Sequence, residues 1–249
     1  MTRRLLAILI ALVGTAAVVI VGLTVFFPEE DRLRYTPPGP VRSVEVDLEA
    51  GRIHVVAGPA DAANVDRIRR YLRGAPVTEE SLIDGVLRVR AECRRFVAVG
   101  CEVDYRLEVP AGVAVRVRTE RGSVDVEGIT GMVEVETSAG GVRLARTRGP
   151  VRVTTSAGNV DAEDVVAEFL DATTGAGRIR MSLTEPPGRL GLRTGAGNID
   201  LALPTALGGY RVDADAGAGK VDIGVVNDPG GSRTVMARSG AGNIRIASR

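Results

Sequence analysis

The chain has no tryptophan, one histidine (His54) and one lysine (Lys220), and only 3% of its 249 residues are aromatic. A lone histidine removes multi-histidine metal sites and the usual serine–histidine catalytic pairing. The few aromatics (among them Tyr71, Phe96, Tyr105, Phe169 and Tyr210) are scattered and offer no stacked platform for sugars. Charge of one sign is also missing. Thirty-two basic residues against 31 acidic ones leave a net charge of +1. Bulk electrostatics therefore exclude a nucleic-acid binder and an acidic tail. The near-complete use of Arg over Lys reflects GC-biased coding.

One long hydrophobic run is present, and it is N-terminal. After residues 1–4 comes LLAILIALVGTAAVVIVGLTVFF, residues 5–27, without a charge. About 20 apolar residues cross a bilayer as a helix, so the run reads as a transmembrane anchor. A cleaved signal peptide is the rival, with its site near Thr15-Ala16-Ala17, but residues 18–27 stay apolar beyond that site. Arg3 and Arg4 before the run are balanced by Arg32 and Arg34 after it, so basic residues do not orient it. The two cysteines, Cys93 and Cys101 in CRRFVAVGC, do. That spacing suits a disulfide across a short loop in an oxidising compartment, and reduced thiols are the alternative. The expectation is a single-pass protein of the cell membrane with its C-terminal domain outside the cytoplasm. Residues 28–40, PEEDRLRYTPPGP, read as a stiff Pro-rich linker, and residues 41–249 as the extracytoplasmic domain.

Glycine is abundant instead, at 31 residues, and its placement is periodic. Gly122, Gly140, Gly158, Gly177, Gly197, Gly219 and Gly242 recur at spacings of 18 to 23. Apolar residues stand seven and five before each, as in Val115/Val117 and Val133/Val135, and two and four after each, as in Val124/Val126 and Val142/Leu144. All 28 such positions match, and Gly51 fits with Val44/Val46 and Ile53/Val55. Period-2 alternation means a strand with one buried face, so each repeat holds two strands around a glycine corner. Such a unit cannot bury its own face, and stacking its neighbours can. The fold expected is an all-β solenoid (β-helix) of stacked two-strand repeats, regular from about residue 113. An up-and-down sandwich of hairpins is the rival.

The outward residue three after each glycine bears on that choice. The series is Asp125, Arg143, Asp161, Arg180, Asp200, Asp222, Arg245, and its first five members alternate in sign. Alternation is useful where equivalent strands are direct neighbours about 4.8 Å apart. Residues 59–105 blur the period, and DAANVDRIRRYLRG suits a strand or a short helix.

VDYRLEVPAGVAVRVRTERGSVDVEGITGMVEVETSAGGVRL and the recurrent T-x-A-G-x-[VI]-x-apolar units resemble a bacterial adhesin-type β-strand-repeat family of unknown function, similar to head-GIN and auto-transporter adhesin domains. The resemblance runs from about Val41 to Ser248. It implies an envelope-exposed β-helical domain behind one anchor and brings no catalytic residues.

Three chemistries are suggested by particular residues. GAGNID (195–200) and GAGNIR (240–245) suggest phosphate cradles, yet each runs into a strand rather than a helix N-terminus. Asp161, Asp200 and Asp222 suggest a calcium ladder, yet Arg143, Arg180 and Arg245 share their position. Asp213, Asp215 and Asp222 suggest a glycosidase pair, but such carboxylates on an outward face are ordinarily solvated. His54 also alternates outward. No catalytic, cofactor or metal residue is assigned, and no enzyme is expected. The function expected is adhesion or envelope scaffolding at the cell surface, with the membrane held through residues 5–27. The ligand would be an unidentified envelope protein or polysaccharide, bound through Arg and Asn hydrogen bonds, and not nucleic acid. An envelope-stress accessory acting through a membrane partner is the alternative, and a polysaccharide-processing enzyme comes third.

Overall fold

The computed structural model describes residues 29–60, 62–72, 74–93 and 100–249. The apolar run 5–27 lies outside them. Among the described residues no helix is long and apolar enough to cross a membrane. The described chain is all-β, with 21 strands.

The N-terminal part holds β1 (Glu29–Tyr35), β2 (Ser43–Ala50), β3 (Ile53–Gly58), β4 (Asn64–Tyr71), β5 (Val77–Ile83), β6 (Val86–Glu92) and β7 (Glu102–Pro110). Seven two-strand repeats follow, each split by one of the periodic glycines. They are β8 (Ala114–Arg121) with β9 (Val124–Glu127), β10 (Val133–Ala139) with β11 (Val142–Ala145), and β12 (Val151–Ala157) with β13 (Val160–Val165). Next come β14 (Phe169–Ala176) with β15 (Ile179–Leu183), and β16 (Arg189–Ala196) with β17 (Ile199–Leu203). The last two are β18 (Arg211–Ala218) with β19 (Val221–Gly224), and β20 (Thr234–Ala241) with β21 (Ile244–Ser248).

The first strand of each repeat joins a ten-stranded sheet and the second an eleven-stranded sheet. Equivalent strands pair directly, parallel and in register: Val133 lies beside Val115 and Val151, and Val142 beside Val124 and Val160. A meander would separate them, so the sandwich of hairpins is excluded. The inward rows are aliphatic and buried, as at Val115, Val133, Val151, Leu170 and Leu190 in one sheet and Val124, Val142, Val160, Ile179 and Ile199 in the other. Stacking thus supplies the burial that an isolated repeat lacks.

Spatial order departs from chain order at both ends. One sheet runs β6-β2-β8 and the other β7-β3-β9, so the first repeat, β2/β3, lies between β6/β7 and β8/β9. At the far end β20/β21 lies between β16/β17 and β18/β19. The expectation that neighbours in sequence are neighbours in space therefore holds only from β8 to β17.

Two segments differ from their sequence reading. Part of the expected linker 28–40 is strand β1, antiparallel to β4. The ambiguous DAANVDRIRRYLRG supplies β4, itself antiparallel to β7. In β1 the inward row of Asp31, Leu33 and Tyr35 is interrupted by Asp31, which pairs with Arg69 of β4, and on the other face Arg32 and Arg34 pair with Asp66 at 2.6 and 2.9 Å. The β5–β6 hairpin turns at Asp84-Gly85, both at positive φ (51° and 78°), the signature of a tight Asp-Gly hairpin turn.

Candidate functional site

The corners explain the glycines, though not by φ alone. Gly140 sits at φ 152° in the column of corners. A Cβ there would overlap the Gly122 carbonyl oxygen, and one on Gly158 would overlap that of Gly140. Gly158 is absent from the positive-φ residues that include Gly122, Gly140, Gly177, Gly197, Gly219 and Gly242. At Gly158 the requirement for glycine is therefore steric: rung-to-rung approach leaves no room for a side chain.

Two further ladders line the corners. Three residues before the glycine, Thr155, Thr174, Thr194 and Ser239 are buried and donate to the carbonyls of Gly140, Gly158, Gly177 and Gly197 at 3.4, 2.9, 2.9 and 2.9 Å. One residue after it, Asn159 Oδ1 accepts from the Arg178 amide at 2.9 Å, Asn198 Oδ1 from Asn243 at 2.8 Å, and Asn243 Oδ1 from Lys220 at 2.9 Å. Asn159 is thus a rung-to-rung bracket. The T-S-A-G-N wording carried both signals. A Thr or Ser at this inward strand position in six of the seven repeats, Ala216 being the exception, was the clue to the first.

Cys93 and Cys101 are joined, with Cα atoms 6.0 Å apart. They connect β6 to β7 at the place where other repeats turn through glycine. The chain distance between β6 and β7 exceeds that at the glycine corners, and this breaks the period in the sequence.

The outward charges form continuous ladders. Across the eleven-stranded sheet the register places Asp125, Arg143, Asp161, Arg180, Asp200, Arg245 and Asp222 in a row. The chain-order series broke at Asp200–Asp222; the spatial series alternates throughout, because β21 brings Arg245 between them. The row continues through His54, whose Nδ1 accepts from Arg106 Nη1 at 2.8 Å. Close ion pairs run diagonally as well as straight, as from Arg143 to Glu163 at 3.9 Å and from Arg146 to Glu127.

The other sheet is richer in guanidinium near its N-terminal end. Arg88 contacts Glu45 at 2.9 Å and Arg116 contacts Glu134 at 2.6 Å. Arg88, Arg90, Arg116 and Arg118 flank Glu45 and Asp47 around a shallow depression of about 150 Å³. Planar guanidinium forks at strand spacing can grip successive carboxylate, sulfate or phosphate groups of a polymer. The expected candidates Asp213, Asp215 and Asp222 divide between the two sheets, and Arg238 and Arg245 neighbour them at 3.1 Å (to Asp213) and 4.0 Å (to Asp222). Among the described residues no three His, Cys, Asp or Glu side chains gather as metal ligands.

Sequence reasoning missed the N-terminal closure. Arg67 on β4 and Glu80 on β5 turn inward and meet at 2.7 Å, and Tyr105 Oη donates to Glu80 at 2.6 Å. Arg67 also donates to Thr78 Oγ1 at 2.6 Å. Burial pushes the Tyr105 hydroxyl well above its ordinary range, and the Glu80 carboxylate adds to this. Burial works against the charge on Arg67, but Glu80 holds that guanidinium above its ordinary value.

The fold and its surface define a class, repeat-built all-β proteins whose polar side chains serve the stack. The match to a family model is specific within it: Toastrack DUF4097 covers residues 113–248, and the chain belongs to that family. No curated protein matches the sequence. Among solved structures, one from Bacteroides fragilis NCTC 9343 is 14% identical with TM-score 0.50, covering 88% of this chain and 97% of that one. One from Clostridium sporogenes ATCC 15579 is 13% identical with TM-score 0.40, covering 90% and 100%. One from Parabacteroides distasonis ATCC 8503 is 11% identical with TM-score 0.46, covering 89% and 97%. Their descriptions, each marked putative, read adhesin, cell adhesion protein and lipid binding protein. At these identities only the B. fragilis likeness bears on this chain, and it bears on the fold.

Proposed function

We propose that the chain is a β-solenoid anchored in the cell membrane through residues 5–27 and displayed outside the cytoplasm, where it serves adhesion or envelope scaffolding without catalysis. The observation that carries this reading is the pair of charge-laddered sheets. Eleven strands at about 4.8 Å spacing make a face about 50 Å long. On it carboxylates and guanidiniums neighbour one another instead of converging on a cleft. The disulfide between Cys93 and Cys101 supports an oxidising compartment. The Arg88, Arg90, Arg116 and Arg118 cluster supports an anionic envelope polymer as ligand.

Protease shielding in intact cells tests the location. The domain should be degraded from outside without lysis, and alkylation before reduction should find no free thiol. Full protection together with two free thiols would defeat the reading. Co-sedimentation with purified cell-wall polymer tests the ligand: binding should weaken with salt and fall on Arg88→Ser with Arg116→Ser.

A further inference from the structure

The two ends of the stack are built differently. At the N-terminal end the inward positions beyond the last aliphatic rung hold the Arg67–Glu80–Tyr105 network. Inward charge of this kind disfavours a further apolar strand, and the strand that does add there, β1, is held to β4 by ion pairs. At the other end β18 and β19 are last in their sheets; the inward Val212, Ala214 and Ala216 of β18 are half-buried and the inward row of β19 is exposed. Val221 and Ile223 are 40% and 37% exposed, whereas their equivalents Val124, Val142 and Ile244 are at most 1% exposed.

The edge is open over a defined length. The segment 226–228 covers the start of β18: Tyr210 N donates to Val226 O at 3.0 Å, Asp228 N to Tyr210 O at 2.8 Å, and Val212 N to Asn227 Oδ1 at 3.1 Å. Since the Val212 amide faces away from β20, strand alternation turns those of Ala214 and Ala216 the same way. Beyond Val212 that edge, and all of β19, has no further strand beside it among the described residues.

Apart from Arg211, whose guanidinium is held by the Pro229 and Gly231 carbonyls, the outward charges of this last rung are Asp213, Asp215 and Asp222, whose inner neighbours are Met236, Arg238 and Arg245. The alternating row of the eleven-stranded sheet therefore stops on a carboxylate whose outer neighbour is missing. A neighbour that continues the pattern carries cations outward and aliphatic side chains inward. A second copy of this edge would instead bring aspartates to aspartates.

We infer that the β18/β19 edge is a strand-addition site for an extended segment of a partner protein with alternating basic and aliphatic residues. Main-chain hydrogen bonds to the open amides would supply affinity, and the three aspartates would set the preference for cations. This names a partner class for the proposed scaffold. A cytoplasmic location would defeat that scaffold role and leave this binding intact.

The test uses the full-length chain in detergent micelles with labelled seven-residue peptides. One alternates Val and Arg, one alternates Val and Glu, and one has the Val/Arg composition in two blocks. The alternating Arg peptide should bind at least about tenfold more tightly than either other peptide. It should slow amide exchange at 214–218 and 221–224. Asp215→Arg with Asp222→Arg should reverse the preference between Arg and Glu peptides. Equal binding of the block peptide would overturn the inference, as would binding that leaves those amides unprotected. So would self-association of the chain that protects the same amides. The exchange readout on the unmodified chain holds even if the variant fails to fold.

Discussion

At the scale of single residues, the corners separate groups that look alike in sequence. Thr137 and Thr174 both stand three before a corner glycine and both are buried. Thr174 donates to Gly158 at 2.9 Å, whereas Thr137 Oγ1 finds no partner among the described residues. A bonded buried hydroxyl is worth about 1 kcal/mol, and an unbonded one costs about as much. Thr174→Val should therefore lose about 1 kcal/mol in urea unfolding, and Thr137→Val should be neutral or gain. The same sign for both would remove the hydroxyl ladder from the account. Gly158→Val should cost about 3 kcal/mol or more, because its Cβ meets the Gly140 carbonyl and neither rung can retreat without breaking the column. Asn159→Ser loses one rung-to-rung acceptor near water and should cost about 1 kcal/mol or less. Equal denaturation midpoints for these two variants would show that the rungs are not in contact at the corner.

Individual strands were legible where an aliphatic face met an aliphatic core, and illegible where the core gave way to ions. All seven glycine-centred strand pairs follow from period-2 alternation. β1 and β4 could not be read this way, since Asp31 and Arg67 occupy inward positions where the regular repeats show apolar alternation. The pairing of β1 with β4 rests on charge, and so it responds to pH. Hydrogen bonds from Arg32 hold the Asp66 carboxyl down at about 2, against an ordinary 3.8; Arg34 adds to this and burial opposes it. A carboxylate depressed on folding stabilises the folded state above its unfolded value, and that contribution fades as pH falls from about 4 to about 2. The contribution at neutral pH is at most about 2 kcal/mol, since Arg32 and Arg34 remain exposed. Amide exchange in β1 should accelerate over this window, and Asp66→Asn should show the faster rate at pH 7 with a flat profile below it. An unchanged acid profile in that variant would place the stability of β1 elsewhere.

The order of repeats in the whole molecule is the feature sequence conveyed least, because every glycine unit carries the same local instructions. Charge supplies the missing instruction. In chain order β2-β6-β8, Arg88 and Arg90 would lie beside Arg116 and Arg118; in the observed order Glu45 and Asp47 stand between them. At the other end Asp200 would lie beside Asp222, and Arg245 is interposed. One row runs the other way, since Arg193 now neighbours Arg238. Chain order would also set Arg189 beside Arg211 and Glu108 beside Glu127, so five like-charge contacts are relieved and one is made. The break in alternation at Asp200–Asp222 was thus a readable sign of inserted order. If the insertion is real, Asp200 and Arg245 are adjacent while Asp200 and Asp222 are two rungs, about 9.6 Å, apart. Double-mutant cycles at low salt should give a coupling of a few tenths of a kcal/mol for Asp200 with Arg245 and none for Asp200 with Asp222. Cross-linking gives an independent reading: Ala202 is in register with Ala247, about 4.8 Å away, inside the reach of a disulfide. Ala202→Cys with Ala247→Cys should oxidise to a bridge, whereas Ala202→Cys with Gly224→Cys, two rungs apart, should not. A bridge in the second pair alone would mean that the repeats stack in chain order and that the C-terminal repeat, not β18/β19, forms the end of the molecule.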